Sequence, residues 1–263
     1  MEKWKLLISG SGEPSLNMGI DYFLWEKTGD ENFPPVLRFY TWKVPSVSIG
    51  YNQSPEKLIN INFCLENKFP IVRRPTGGSV IFHDLELTYS FCANCKYYKD
   101  FSSPFKSYIL ICKGIIKGME KMGLRPEIRG VSEGKEPSYT TRDCFSLSSK
   151  HDITFEGKKI VGSAQRRNRK SFLQHGSILI DIRKNLWENI FLHKPDFSKV
   201  GSLKEFGVEV GKEKLIEFLK TGFEEVFEIE FELMEISEKE MEECKKLAEN
   251  FLIKKERLEN NQI

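Results

Sequence analysis

Hydrophobic positions along this chain recur with two periods, and the elements change where the period changes. A short apolar run from Lys5 to Ile8 predicts an opening strand. Ser15 then stands where a helix cap is expected, and Leu16, Ile20, Phe23 and Leu24 share one face at helical spacing. Val36 to Tyr40 and Val47 to Tyr51 read as strands separated by the turn TWKVP. Ser54-Pro55 supplies a cap followed by proline at the first helical position, predicting a helix that runs to Asn67. Ile71 to Arg73 and Val80 to Phe82 predict strands on either side of a glycine loop. In LELTYSF, Leu85, Leu87, Tyr89 and Phe91 alternate with Glu86, Thr88 and Ser90, the pattern of a half-buried strand.

Between Pro104 and Gly123 the residues Tyr108, Cys112, Ile115, Met119 and Met122 repeat at three and four, and Gly123 is placed to end the helix. PEIRGVSEGKEPSYTTRDC shows no period, and its prolines and glycines predict a long loop of the kind that often carries function. Asp152 to Phe155 and Lys159 to Val161 predict a hairpin about Glu156-Gly157, and HGSILIDI a further strand. Lys212 to Phe227 is amphipathic at helical spacing, EIEFEL alternates as a strand, and Ser237-x-x-Glu240 is a capping box opening a last helix. Strands and helices alternate without a regular βαβ period, which favours an α+β fold on a mixed or antiparallel sheet with flanking helices.

Composition narrows the class. A length of 263 residues with 40% hydrophobic and 12% aromatic content suits a well-packed globular protein, large enough for one big domain or two smaller ones. Lys and Arg number 40 against 38 Asp and Glu, so a formal charge of +2 does not imply nucleic acid. The first residues hold too short an apolar run for a secretory signal, and no run of eighteen apolar residues occurs, which predicts a soluble cytoplasmic protein with no membrane span. The six cysteines are scattered over a long chain, as free thiols would be. Cys112 falls on a core face. Cys92-Ala-Asn-Cys95 has metal-site spacing but no second pair or histidine cluster, so structural thiols are expected and no metal.

Candidate chemistry begins at RRPTGGSVIFHD. Gly77 and Gly78 lack Cβ atoms and let another molecule lie against their N–H groups, Arg73 and Arg74 offer a cationic fork, and His83 a titratable group at a strand end. A tight hairpin carrying surface charges has the same pattern. Further on stand a cysteine in RDCFSLSS, the hairpin EGKKIVGSAQRR, and QHGSI. Together these motifs resemble the lipoate-protein ligase and octanoyltransferase superfamily. Arg73, Arg74, Thr76, Gly77, Gly78, His83 and Asp84 match its Arg-Arg-x-Thr/Ser-Gly-Gly loop with His-Asp; Lys159, Gly162, Ser163, Ala164 and Gln165 match its Lys-x-x-Gly-Ser-Ala element; Gly50 and Gln53 in SIGYNQ fit its early strand and turn. The Gly-Arg-Gly-Arg type of loop of biotin ligases is absent.

The resemblance implies a class II synthetase-like biotin/lipoate ligase catalytic fold, with residues 1–263 as one catalytic domain, 212–263 as its C-terminal helix-strand-helix segment, and an acyl tunnel across the sheet. Lys159 would donate to the acyl carbonyl as negative charge develops, and Gly162, Ser163 and Ala164 would wall the tunnel without filling it. Two chemistries share the superfamily. Ligases make an acyl-adenylate with ATP and magnesium; the cysteine-dependent octanoyltransferases take octanoate from acyl carrier protein through a thioester and need no cofactor. Cys144, about fifteen residues before Lys159, sits where that transferase group carries its nucleophile, and HDLELTYSF is similar to the transferase pattern rather than to the Gly-x-Leu-Asn form of ligases. The implied partners are octanoyl-acyl carrier protein and lipoyl-domain proteins such as the E2 of 2-oxoacid dehydrogenases or the glycine cleavage H protein. The basic run from Arg166 to Lys170 is expected to be a solvated hairpin tip, placed to steer an acidic carrier.

Overall fold

The computed structural model describes residues 1–131 and 151–253. Strand β1 (Glu2–Gly12) runs into helix α1 (Pro14–Lys27), and the chain returns parallel to β1 as β2 (Val36–Trp42). Strand β3 (Ser46–Ile49), a 3-10 turn at Pro55–Lys57, helix α2 (Ile61–Glu66), β4 (Ile71–Arg73) and β5 (Ile81–His83) lead to the long β6 (Glu86–Asn94) and helix α3 (Pro104–Glu120). There follow β7 (Glu127–Ile128), β8 (Ile153–Phe155), β9 (Lys158–Arg167), β10 (Ser171–Leu179), α4 (Lys184–Ile190), α5 (Lys212–Phe227), β11 (Ile229–Leu233) and α6 (Glu238–Ala248). Among the described residues eight strands form one mixed sheet in the order β11-β1-β2-β6-β10-β9-β8-β7, and β4-β3-β5 form a smaller one. The α+β fold expected from the patterning is present, with its parallel pairs confined to β11-β1-β2 in the large sheet and β3-β4 in the small one.

Each face of the large sheet is covered differently. On one face α3 and α5 bury Trp4, Phe91, Phe101, Phe223 and Phe227, with the Trp4 and Phe227 rings 4.8 Å apart. These two helices cross backbone to backbone, because a Cβ on Gly222 would lie 2.2 Å from Gly118 N and 2.4 Å from Gly114 O. On the other face α1 packs beneath α6, where a Cβ on Gly19 would meet Cys244 O at 2.4 Å, and the small sheet covers the adjoining strands. Among the described residues no helix is long and apolar enough to cross a membrane.

Local signals hold where the physics is local. Ser237 and Glu240 form the reciprocal capping box, Glu156 and Gly157 both take positive φ (49° and 77°) in the β8–β9 turn, and Cys112 is fully buried. Four expectations need correction. Helix α1 starts at Pro14 with no side-chain cap, so Ser15 is not its cap. Ser54 makes no capping bond either: only a 3-10 turn follows it, and α2 starts after Asn60, whose side chain accepts from Phe63 N. Between the two, Ile59 bridges to Phe191 and Asn60 N donates to Ile190 O, which holds the chain extended. Strand β6 is buried on both sides, not half-buried, because Glu86, Thr88 and Ser90 point into the space beneath the small sheet while Leu85 is exposed. Finally, Arg166 and Arg167 are not a solvated tip. Arg166 donates to Pro75 O at 2.7 Å and lies over the Tyr51 ring, and Arg167 donates to Ser107 Oγ, Cys95 Sγ and Phe101 O.

Candidate active site

Strand register sets the floor of the site. Tyr40 pairs with Thr88, Thr88 with Ser177 and Ser177 with Gly162, so these side chains stand in a row on the face beneath the small sheet. Two residues along, Arg38, Ser90, His175 and Ala164 make a second row. Over the first row lies a cavity of about 120 Å³, roofed by Ser48, Arg74, Gly78, Ile81 and His83, with Met18 and Trp42 toward β2 and Lys159 toward β9. The rows cross four strands, about 14 Å at about 4.8 Å per strand spacing. An eight-carbon zigzag of seven bonds of about 1.5 Å extends about 9 Å. A linear acyl chain therefore fits the direction of the cavity.

Lys159 bends back over its own strand. A Cβ on Gly162 would lie 2.7 Å from Lys159 Cε and 2.8 Å from Nζ, so the Lys-x-x-Gly spacing leaves a bare backbone on which the ammonium rests. Its Nζ is 3.0 Å from Asp152 Oδ1, an ion pair whose angle falls outside hydrogen-bond geometry. Burial pushes the Asp152 carboxyl above its usual range, an effect that Lys159 offsets only in part. Lys159 itself keeps 35% of its side chain exposed, which leaves it open to a ligand in the cavity.

The glycine loop is shaped by the two arginines, which both donate to backbone carbonyls around it. Arg73 Nη1 donates to the carbonyls of Gly50, Tyr51 and Gln53, and Arg74 donates to those of Ser48, Gly77 and Ser79. Arg74 engages Nε, Nη1 and Nη2 in this way and is not a free fork for ligand, whereas Arg73 holds backbone through Nη1 alone. Burial brings the Arg74 guanidinium down to about 10, still charged at neutral pH, and it is the one of the pair that borders the cavity. Gly78 takes φ +85°, and Gly50 is needed beneath it because a Cβ there would sit 2.0 Å from Gly78 O. His83 stacks on Trp42 with centroids 3.8 Å apart, its Nε2 2.8 Å from Ser48 Oγ. Its Nδ1 faces Glu86 at 3.6 Å, too far for a hydrogen bond, and burial lowers its affinity for a proton. Ser48, His83 and Glu86 mimic the order of a hydrolytic triad, but Ser48 has no exposed surface and its hydroxyl is also bonded by Arg74.

Of the residues expected at the site, Arg74, Gly78, His83, Lys159, Gly162, Ser163 and Ala164 border the cavity. The Ser163 hydroxyl turns to the opposite face, where Tyr89 donates to it at 2.7 Å, because side chains alternate along a strand. Thr76 and Arg73 sit behind the cavity: Thr76 is fully buried against His175, and Arg73 braces the Gly50 turn. Beside Gly77 a Cβ would find open space, so this glycine is not forced by packing. Asp84 is turned outward to Arg183. Cys144 lies outside the described residues. It precedes His151 by seven positions, and the next residue, Asp152, is the one paired with Lys159. Cys92 and Cys95 are free thiols, the second accepting from Arg167, and among the described residues no group of three or more His, Cys, Asp or Glu could hold a metal.

Sequence patterning did not find Asp21. This fully buried carboxylate on α1 accepts from Arg38 (2.6 Å), Ser90 (2.7 Å) and Tyr40 (2.8 Å), and lies 3.0 Å from His175 Nδ1. Burial alone would raise its pKa, but the Arg38 charge and the bonds from His175 and Ser90 outweigh that and hold it below the usual carboxylate range. The available signal was a polar Asn17–Asp21 pair, one helical turn apart, on an otherwise apolar helix face.

Comparison with known proteins agrees with this geometry. Residues 13–224 match the model for the lipoyl protein ligase A/B catalytic domain. An octanoyltransferase LipM of Carboxydothermus hydrogenoformans is 33% identical over 94% of this chain and 95% of its own, and one from Bacillus subtilis is 33% identical over the same shares. In fold, the chain is similar to a bi-partite lipoate protein ligase from Thermoplasma acidophilum, described with its E2 lipoyl domain, at a TM-score of 0.76 and 20% identity over 95% of this chain and 93% of that one. With the family model covering most of its length, and the glycine loop and Lys159 element meeting across one cavity, the chain belongs to the family of lipoyl protein ligase A/B catalytic domains.

Proposed function

We propose that this protein is an octanoyltransferase of protein lipoylation: it takes an octanoyl group from octanoyl-acyl carrier protein, carries it as a thioester on Cys144, and passes it to the acceptor lysine of a lipoyl domain. The observation that carries the reading is the cavity itself, a slot across four strands with the Lys159 ammonium over bare backbone at one end. Relatives named octanoyltransferase over nearly their whole length support the acyl group and the reaction, whereas likeness to the Thermoplasma ligase concerns fold alone.

In the first step the Cys144 thiolate attacks the carrier's thioester carbonyl, a new C–S bond forms, and the phosphopantetheine thiolate leaves. Lys159 donates to the carbonyl oxygen as it becomes an oxyanion. In the second step the acceptor lysine's neutral amine attacks, the amide C–N bond forms, the C–S bond breaks, and the departing Cys144 sulfur takes up the proton the amine gives up. A thioester keeps the acyl group activated between two carriers, so the reaction needs no nucleotide or metal. The E2 of 2-oxoacid dehydrogenases and the glycine cleavage H protein carry acceptors of this kind.

Mass spectrometry tests this directly. Given octanoyl-acyl carrier protein without nucleotide, the protein should gain one octanoyl group on Cys144 and lose it to an added lipoyl domain, and Cys144→Ser should not turn over. If instead octanoate with ATP-Mg²⁺ modifies the lipoyl domain, the carrier thioester does not, and Cys144→Ser is fully active, the protein is a ligase.

A further inference from the structure

We propose that His175 is a positioning residue that sets the glycine loop from behind through Thr76, in a relay running from Asp21 on α1 across β10 to the loop. The inference rests on the cavity being the acyl site, but not on the transfer chemistry. Thr76 belongs to the loop motif yet has no exposed surface, so it does not meet ligand. Its hydroxyl lies 2.5 Å from His175 Nε2, and on the other side of the ring Nδ1 lies 3.0 Å from Asp21 Oδ2.

The direction of these bonds follows from Asp21. An ionised carboxylate only accepts, so Nδ1 must donate to it. Arg38 already balances the Asp21 charge at 2.6 Å, both side chains having no exposure, and a cationic ring beside that neutral pair would leave a net buried charge. The uncharged Nδ1–H tautomer avoids it. Nε2 then carries a lone pair and accepts from the Thr76 hydroxyl. Thr76 is held on its backbone side as well, since Tyr51 N donates to its carbonyl at 2.9 Å. Gripped at both ends, Thr76 fixes where Gly77 and Gly78 lie, and Gly78 O is the atom nested against Gly50. The hydrogen-bonded ring itself borders the cavity between Ala164 and Gly176. Asp21 thus orients His175 and His175 orients the loop, which explains a buried threonine in a binding motif.

Two measurements on the full chain test the relay without turnover. The chain holds only four histidines, so ¹⁵N NMR of the ring nitrogens, assigned by loss of one set in His175→Asn, is tractable. His175 should show a protonated Nδ1 and a bare Nε2; an Nε2–H tautomer or an imidazolium at pH 7.5 overturns the proposal. Binding of a non-hydrolysable octanoyl thioether analogue should weaken about tenfold in Thr76→Val, the worth of roughly one hydrogen bond, and return to within about threefold in Thr76→Ser. Parental affinity in a folded Thr76→Val overturns it too. Should the parent protein fail to transfer octanoate while the tautomer and both affinities hold, the reading of the reaction fails and the relay stands.

Discussion

At the scale of single residues, the site turns on what is missing from Gly162. Lys159 lies across this glycine, and the clash a Cβ would create is with the movable end of the lysine, not with backbone. Gly162→Ala should therefore leave the fold intact, and in a strand it can add up to about 0.5–1 kcal/mol of stability by removing glycine's excess freedom. The ammonium, however, is displaced from the cavity. Octanoyl transfer should fall about 10²-fold, approaching the loss of an oxyanion donor, and Lys159→Ala on top of it should add little. Steady-state rates beside urea unfolding curves would check this; an Ala variant with parental rate would show that the lysine's resting place is immaterial.

Among the elements, the contact between α3 and α5 is the least forgiving. Gly222 faces the Gly114 carbonyl and the Gly118 amide at distances no Cβ tolerates, and backbone cannot step aside as a side chain can. Gly222→Ala should cost about 1–3 kcal/mol by overpacking, seen as a fall in melting temperature of roughly 2–12 °C for a chain of this size. The cavity lies on the opposite face of the sheet, so the rate per folded molecule at 25 °C should stay parental. A melting temperature within a degree of the parent would mean that the helices can slide apart at no cost. The same elements show what local pattern could reveal. Helices α3 and α5 were legible because their apolar stripes repeat within one segment, whereas α2 was misplaced because Ile59 and Asn60 are held by Phe191 and Ile190, more than a hundred positions away.

For the molecule as a whole, buried titratable groups tie stability to pH. Burial lowers the His83 pKa from its usual 6.5, so the unfolded chain takes up this proton before the folded one. Its contribution is complete above about pH 6.5 and is lost as pH falls from there through the folded value. Asp21, held low, adds a loss beginning near its usual value of 3.8, and Asp152, held high by burial, works the other way, contributing more as pH falls. Urea midpoints at pH 7.5 and 5.5 should drop further for the parent than for His83→Gln, which keeps a group for Ser48 to bond but does not titrate. Equal drops in the two proteins would remove His83 from the acid response. Asp21 and Asp152 are common to both and cancel in the difference.

What the sequence determined by itself was most of the segments, though not β7, the start of α2 or helix α4, and the bare chemistry of the site. Two adjacent glycines after paired arginines, and a lysine three places before a glycine, are short-range facts, and Arg74, Gly78, His83, Lys159, Gly162 and Ala164 do meet around one cavity. Tertiary structure alone decided which way the polar side chains of β6 point, since alternation shows that two faces differ but not that both are buried. It also decided that Arg73 and Arg74 grip carbonyls, because a guanidinium's partners are chosen by the loops that fold over it. The same holds for Asp21. Nothing near it in the chain needs a carboxylate; Arg38 and His175 do, and it is the pairing of β2, β6 and β10 together with the packing of α1 on that sheet that brings residues 154 positions apart within 3.0 Å. Local physics is written along the chain, whereas the partners of a buried charge are set by which strands lie side by side.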